Sequence, residues 1–396
     1  MDYINIGKDK EINENGMVFD IGSLYEYLEK LSDRRSRQGK RYGLATLVLL
    51  ILLAKLGGED SPSGIADWVA YRKEEIKKLI SFPREETPCH MTFRRVLQVI
   101  IIPEELEKIM SEFHQCRLIA SKEILLTIDG KTVRGTIPAG EIRGTHLLAV
   151  YVPQQGLVLV EAEVDHKENE IVIAPQIVEK VKLRGAIIIG DAMHTQRGIS
   201  SQIVEAGGDF IWTVKDNQPR TRWAIEKIFS PQMCYLRDGA MLSTDYQTAA
   251  VVHKGHGRLE KRTLIRASLL NEYLDWPHVA QVFRLERIVW FDHGKRSTRQ
   301  ITYGLTSLPP EQASPRKLLT LLRQYWGIEN GLHYRRDVTL NEDRTRLTVG
   351  RAGHNMAILN NLIIGLCSYN GFSNLAKARR LFSAQPAQAL ILIVSS

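Results

Sequence analysis

Along residues 24–119 apolar positions return every three to four residues, and this spacing predicts helices around 23–31, 43–56, 62–80, 91–101 and 103–118. The stretches "GGEDSPS" and "SFPREETPC" and the turn at Pro103 separate them. Ser61-Pro62 and Thr87-Pro88 read as helix entries or turns, not as breaks within helices. No run there alternates as a strand would. At Glu123 the texture changes to short β-rich runs over 124–128, 146–152 and 157–164, the last two joined by the turn-like "PQQG". An amphipathic helix over 171–183 follows. Then come "AIIIG", a continuous apolar strand of the kind buried on both faces, a helix over 196–205 and the strand "DFIWTV".

The order β-β-β-α-β-α-β is that of an α/β ribonuclease H-like core. Residues 216–304 interrupt it with a β-rich insertion, with strands expected at 249–253, 261–267, 283–290 and 299–304. From Pro315 a long helical pattern begins, and 351–368 supplies another. The expected division is therefore an all-α N-terminal domain over 1–118, the first part of the core over 119–215, the insertion over 216–304, and the rest of the core over 305–396. A length of 396 residues fits two or three domains.

Net charge and cysteine usage narrow the class. A charge of +8 leans toward an anionic partner. Cys89, Cys116, Cys234 and Cys367 lie far apart with no C-x-x-C pair, so they read as reduced, intracellular residues outside any zinc ribbon or disulfide framework. The start lacks a secretory pattern. The longest apolar run, 44–56, contains Lys55 and is shorter than the roughly 18 residues of a membrane span, so it predicts a buried helix.

If strand 124–128 lies parallel beside 186–190, Asp129 and Asp191 meet at one carboxyl edge on chains about 4.8 Å apart. Two carboxylates so close repel unless a cation lies between them or one takes a proton, and hard divalent ions suit oxygen ligands. A third ligand is expected from "LRQYWGIENGLHYRRDV". There Leu322, Tyr325, Trp326, Leu332 and Val338 form an apolar stripe beside Glu329, with His333 and Arg336 at i+4 and i+7. Glu342 is the reserve choice over Asp337 and Asp343.

"TIDGKTVRG", "IIGDAMHTQ" and "YWGIENGLHYRRDVTLNEDRTR" resemble the catalytic segments of DDE transposases from bacterial insertion sequences, in particular the H-repeat-associated group. The likeness covers nearly the whole chain, from "DRRSRQGKRY" through "IADW" and "TFRRVL" to "AGHNMAILNN". It implies catalytic acids Asp129, Asp191 and Glu329 and two Mg²⁺ ions, with Mn²⁺ able to substitute. Asp129 would bridge both ions, while Asp191 and Glu329 each complete one side. Water would cut at the element end, and the freed 3′-hydroxyl would attack target DNA. The resemblance also implies a homodimer on DNA and a cytoplasmic, nucleoid-associated bacterial protein with no membrane partner. The wider group carries Arg four residues before the Glu and Lys seven after; here those positions hold Tyr325 and Arg336, and the Arg role falls to Arg323 or is lost.

Basic and polar side chains near the acids are candidates for DNA phosphates: Lys131, Arg134, Lys215, Asn217, Gln218, His333, Arg335 and Arg336, with His194 orienting a phosphate or the metal's outer shell. "RRSRQGKR" adds Arg34, Arg35, Arg37, Lys40 and Arg41, and "TFRRVL" adds Arg94 and Arg95. Trp68 and Tyr71 read as core, and the Gly-rich loops "HKGHGRLEKR" and "HGKRSTR" read as DNA contacts or plain hairpin turns. Three alternatives stay open: an inactive DNA-binding relic, a ribonuclease H-fold nuclease without strand transfer, and an aspartyl-phosphate phosphatase. The last is disfavoured by Lys131, which stands where that chemistry wants an Asp.

Overall fold

A computed structural model describes residues 9–13, 17–36, 38, 40–80, 86–118, 123–165, 170–230, 245–255, 257–268, 271–291 and 295–395. In chain order, two short strands, β1 (Lys10–Ile12) and β2 (Val18–Asp20), precede helices α1 (Leu24–Glu29), α2 (Leu44–Leu56), α3 (Pro62–Tyr71), α4 (Lys73–Leu79), α5 (His90–Arg95) and α6 (Pro103–Gln115). Strands β3 (Ile124–Thr132), β4 (His146–Val152) and β5 (Leu157–Val164) follow, then α7 (Glu170–Val178), β6 (Ala186–Gly190), α8 (Arg197–Glu205), β7 (Asp209–Val214) and α9 (Pro219–Ile228). Four strands, β8 (Gln247–Gly255), β9 (Arg258–Ala267), β10 (Gln281–Phe291) and β11 (Arg296–Thr306), lead to α10 (Pro315–Tyr325), α11 (Ala352–Tyr369), α12 (Leu375–Ala384) and α13 (Pro386–Val394). The fold is mixed α/β with a large sheet, and it divides into two compact units: Met1–Ile119, Gly130–Lys167 and Glu329–Ser396 form the first, Ala120–Asp129 and Glu168–Ile328 the second.

In the first unit, α2 is the hub. All its residues are buried because its sequence, LATLVLLILLAKL, is apolar on every side, and α1, α3, α11, α12 and α13 pack around it. Its one charge, Lys55, is fully buried and donates to Asp60 Oδ1 at 3.0 Å, while Arg379 binds Asp60 Oδ2 at 2.8 Å. A buried ammonium needs such a partner, since desolvation alone favours its neutral form. Strands β4 and β5 pair antiparallel, and α6 and α11 cover β5.

The second unit is built on a sheet of order β3-β6-β7-β11-β10-β9-β8. Strands β3, β6 and β7 run parallel, with Ile128 opposite Gly190. β11 joins β7 antiparallel, and β8 to β11 continue as a meander, so the expected insertion extends the sheet itself. Leu125, Ile187, Ile189, Ile211, Leu264 and Phe283 share one face, covered by Leu318, Leu319, Leu321 and Leu322 of α10.

Several expectations need correcting. The helix expected over 62–80 breaks at Arg72 (φ −107°, ψ 18°) into α3 and α4. The segment at 91–101 ends in a π turn, Val96–Ile100. Tyr71 is 84% exposed and no core residue, whereas Trp68 is buried. The strands β1 and β2 had no clear signal in so few residues.

Candidate active site

Asp129 and Asp191 both belong to the second unit, each one residue beyond the paired Ile128 and Gly190 of neighbouring parallel strands. Both are partly buried. The apolar residues before them drive each strand into the core, which fixes where the two carboxylates emerge. Asp191 Oδ1 accepts from Lys215 Nζ at 2.9 Å and from its neighbour's amide, Ala192 N, at 2.7 Å. Partial burial pushes its acidity the other way, yet Lys215 and the amide outweigh this and hold the carboxyl below the usual aspartate range. Asp191 thus stays charged and already carries a cation.

The surrounding loop is fastened to the sheet edge. Asn217 Nδ2 donates to Ala192 O at 2.6 Å, Gln218 Nε2 to Thr195 O at 3.0 Å, and Thr195 Oγ1 to Thr213 O at 2.7 Å. His194 is buried, its Nε2 3.4 Å from Glu170 Oε2. Gly190 leaves room for it: a Cβ there would stand 3.1 Å from Trp212 and 3.2 Å from His194. His194 therefore braces the turn after Asp191 and is not presented to a phosphate at the surface.

Glu329 lies in the first unit, exposed, at the start of a π-helical turn, Glu329–His333. A second π turn, Arg335–Thr339, follows. The i→i+5 bonding of these turns breaks the 3.6-residue spacing on which the expected acid-and-cation face rested. His333 and Arg336 consequently turn inward and are buried, while Trp326 and Val338, expected in the apolar stripe, are 58% and 55% exposed. Among the described residues no three of His, Cys, Asp or Glu are gathered to hold a metal ion.

Arg336 is the clearest correction. Its side chain is fully buried, with Nε 2.8 and 2.9 Å from the two Glu342 oxygens and Nη1 donating to Glu161 Oε1 at 2.7 Å. Asn360 Nδ2 binds Glu342 Oε2 at 2.7 Å. Burial opposes the charge, but Glu342 and Glu161 overcome it and hold the guanidinium above the ordinary arginine range. It is an internal clasp, not a phosphate contact, and Glu342, the reserve ligand, is consumed by it. Lys131 is likewise nearly buried: Nζ stands 2.6 Å from Asp337 Oδ1 and 3.3 Å from Asp343 Oδ1, and Arg134 N donates to Asp343 Oδ1 at 3.1 Å. The end of β3 is thereby locked to the chain that follows Glu329. Sequence reasoning missed Glu161, although an acid inside the apolar run "LVLVEAEV" signals a buried partner.

The remaining basic candidates are scattered. Arg34, Lys40, Arg41, Arg94, Arg95, Arg134, Lys215 and Arg323 are exposed, and Asn217 is exposed beside Lys215. Arg35 is folded back onto Asp33 (Nη2–Oδ2 2.7 Å) and Tyr42 O (2.6 Å), and Lys40 stands 3.6 Å from the same Asp33. Tyr325 packs against the core beneath α10. Arg37 and Cys234 lie outside the described residues.

Three curated proteins of Escherichia coli are similar over most of the chain. Putative protein YbfL of strain K12 is 27% identical over 357 residues, covering 88% of this chain and 90% of its own. H repeat-associated putative transposase YhhI of the same strain is 26% identical over 357 residues, with the same two shares. Putative transposase YncI of strain O157:H7 is 28% identical, covering 87% of each. Among solved structures, the piggyBac transposase synaptic complex with hairpin DNA aligns with 93% of this chain and 78% of that one at TM-score 0.45 and 10% identity. Residues 25–114 match the DDE_Tnp_1-associated family, and residues 120–366 match the transposase DDE domain. That second match spans more than half of the chain and contains Asp129, Asp191 and Glu329, and the chain belongs to the transposase DDE domain family.

Proposed function

We propose that this protein is a DNA transposase with a ribonuclease H-like core, in which Asp129, Asp191 and Glu329 hold two divalent cations, Mg²⁺ by preference. One observation carries the reading: β3 and β6 run parallel and their pairing stops at Ile128 and Gly190, so that Asp129 and Asp191 come next, side by side, on neighbouring chains. The parallel order β3-β6-β7, with the hairpin β4-β5 between β3 and β6 in sequence, supports the ribonuclease H-like assignment. Glu329 takes its role from the family motif.

The donors fit hard cations. Both acids present oxygen ligands, and Asp191 already holds the ammonium of Lys215 where a cation would bind. Held by these acids, such ions would supply Lewis acidity to the attacking and leaving oxygens of the phosphodiester. The chain's own contribution is placement. The bonds of Asn217, Gln218 and Thr195 keep the Asp191 turn against the sheet, and charged Asp191 needs no deprotonation to accept a cation. Lys215, exposed and paired with Asp191, can exchange that carboxylate for a DNA phosphate.

Incubating the protein with Mg²⁺, a duplex bearing the element's end and a supercoiled target plasmid tests this. Covalent joining of the end to the plasmid is expected. Cleavage with no joined product would mark a nuclease, and neither product would mark a relic.

A further inference from the structure

The helical stretch after Glu329 borders two cavities within the first unit, of about 640 and 380 Å³, which adjoin at Arg335 and Ser373. Among the described residues no Asp or Glu lines either one, whereas Arg335, Arg379 and Arg380 do. Arg379 is turned to Asp60, which it shares with Lys55. Arg335 is held by neutral partners, Ser368 Oγ at 3.0 Å and the Ser373 carbonyl at 3.1 Å, so its orientation is fixed and its charge is not cancelled. Arg380 is exposed at the rim. Tyr334 and Tyr369 stand 57% and 46% exposed along the same walls.

Two guanidinium groups with no acid beside them among the described residues, flanked by exposed aromatic rings, match a strand of nucleic acid: phosphates for the arginines, base or sugar faces for the rings. We infer that this groove is a DNA-backbone track, seated on the helical stretch that carries Glu329. This rests on the proposed function, since it takes DNA as the ligand. Neither arginine owes its placement to a metal ion, so binding through the groove is independent of Mg²⁺.

The test is fluorescence anisotropy of a labelled duplex bearing the element's end, in EDTA, across a salt series. The variants are Arg380→Gln, Arg335→Gln/Arg380→Gln, and Lys182→Gln/Arg184→Gln as a charge-matched change at exposed residues of the second unit. Loss of two phosphate contacts lowers the slope of log affinity against log salt by about 1.8, and the Arg380 change alone by about 0.9. The control pair is expected to leave the slope in place. Unchanged slopes in the groove variants, or an equal fall in the control pair, would overturn the track. Because Arg380 is exposed, its single change reads the groove even where the double variant folds poorly. If the unaltered protein bound no DNA at any salt, the transposase reading itself would fall, and that outcome differs from the other two.

Discussion

Arg336 shows how far a single residue can depart from the role its position implies. It sits seven residues after Glu329, yet it is buried against Glu342 and Glu161. Removing one partner of such a pair leaves uncompensated buried charge, so Arg336→Met is expected to lower stability by about 3–5 kcal/mol, read as a shift in urea midpoint. Arg336→Lys should lose part of this, since an ammonium cannot bond both carboxylates in the same fork. His114 gives a second residue-scale prediction. Burial holds its imidazole down to about 4, with the Val158 carbonyl, 2.7 Å from Nδ1, opposing that shift. The folded protein therefore keeps His114 neutral while the unfolded chain takes up a proton near 6.5. Stability from this group is present above about pH 6.5 and is lost as pH falls toward 4, by about 3 kcal/mol in all. Urea midpoints across pH 4–7 should show that loss in the unaltered protein and a shallower one in His114→Gln.

Among the elements, the meander β8–β11 depends on a close approach at Gly304. A Cβ there would lie 2.1 Å from Phe283 and 2.4 Å from the Trp212 carbonyl, so β11 would have to move off β7 or β10. Gly304→Ala is expected to cost about 1–3 kcal/mol or more, measured by thermal unfolding. An unchanged melting temperature would contradict the packing. The strands themselves were legible in the sequence: AIIIG is apolar throughout and DFIWTV has Phe210, Ile211 and Trp212 in succession, and such runs have few places to go except a sheet covered on both faces. The positions of the two acids could be read in the same way, because Asp191 directly follows AIIIG and Asp129 follows the largely buried ILLTI that opens β3. The stretch after Glu329 could not. Its π turns shift each side chain by a fraction of a turn, and nothing in "ENGLHYRRDV" announces them. Long-range partners were equally hidden, since Glu161 is 175 residues from Arg336.

On the scale of the whole molecule, the family match covers the residues from β3 through nearly all of α11, and the associated family covers α1 to α6 apart from single terminal residues. The helical N-terminal residues share a compact unit with α11–α13 instead of standing apart by contact. Among the described residues no helix is long and apolar enough to cross a membrane, and α2 spends its apolar surface on its neighbours. We propose that three acids, Asp129, Asp191 and Glu329, serve to cut DNA with divalent ions. Nicking of an end-bearing duplex in Mg²⁺ tests it most directly, with Asp129→Asn, Asp191→Asn and Glu329→Gln alongside the unaltered protein and each variant shown to be folded. The account predicts nicking by the unaltered protein, none in EDTA, and background levels for all three variants. A folded variant that nicks as fast as the unaltered protein would contradict it.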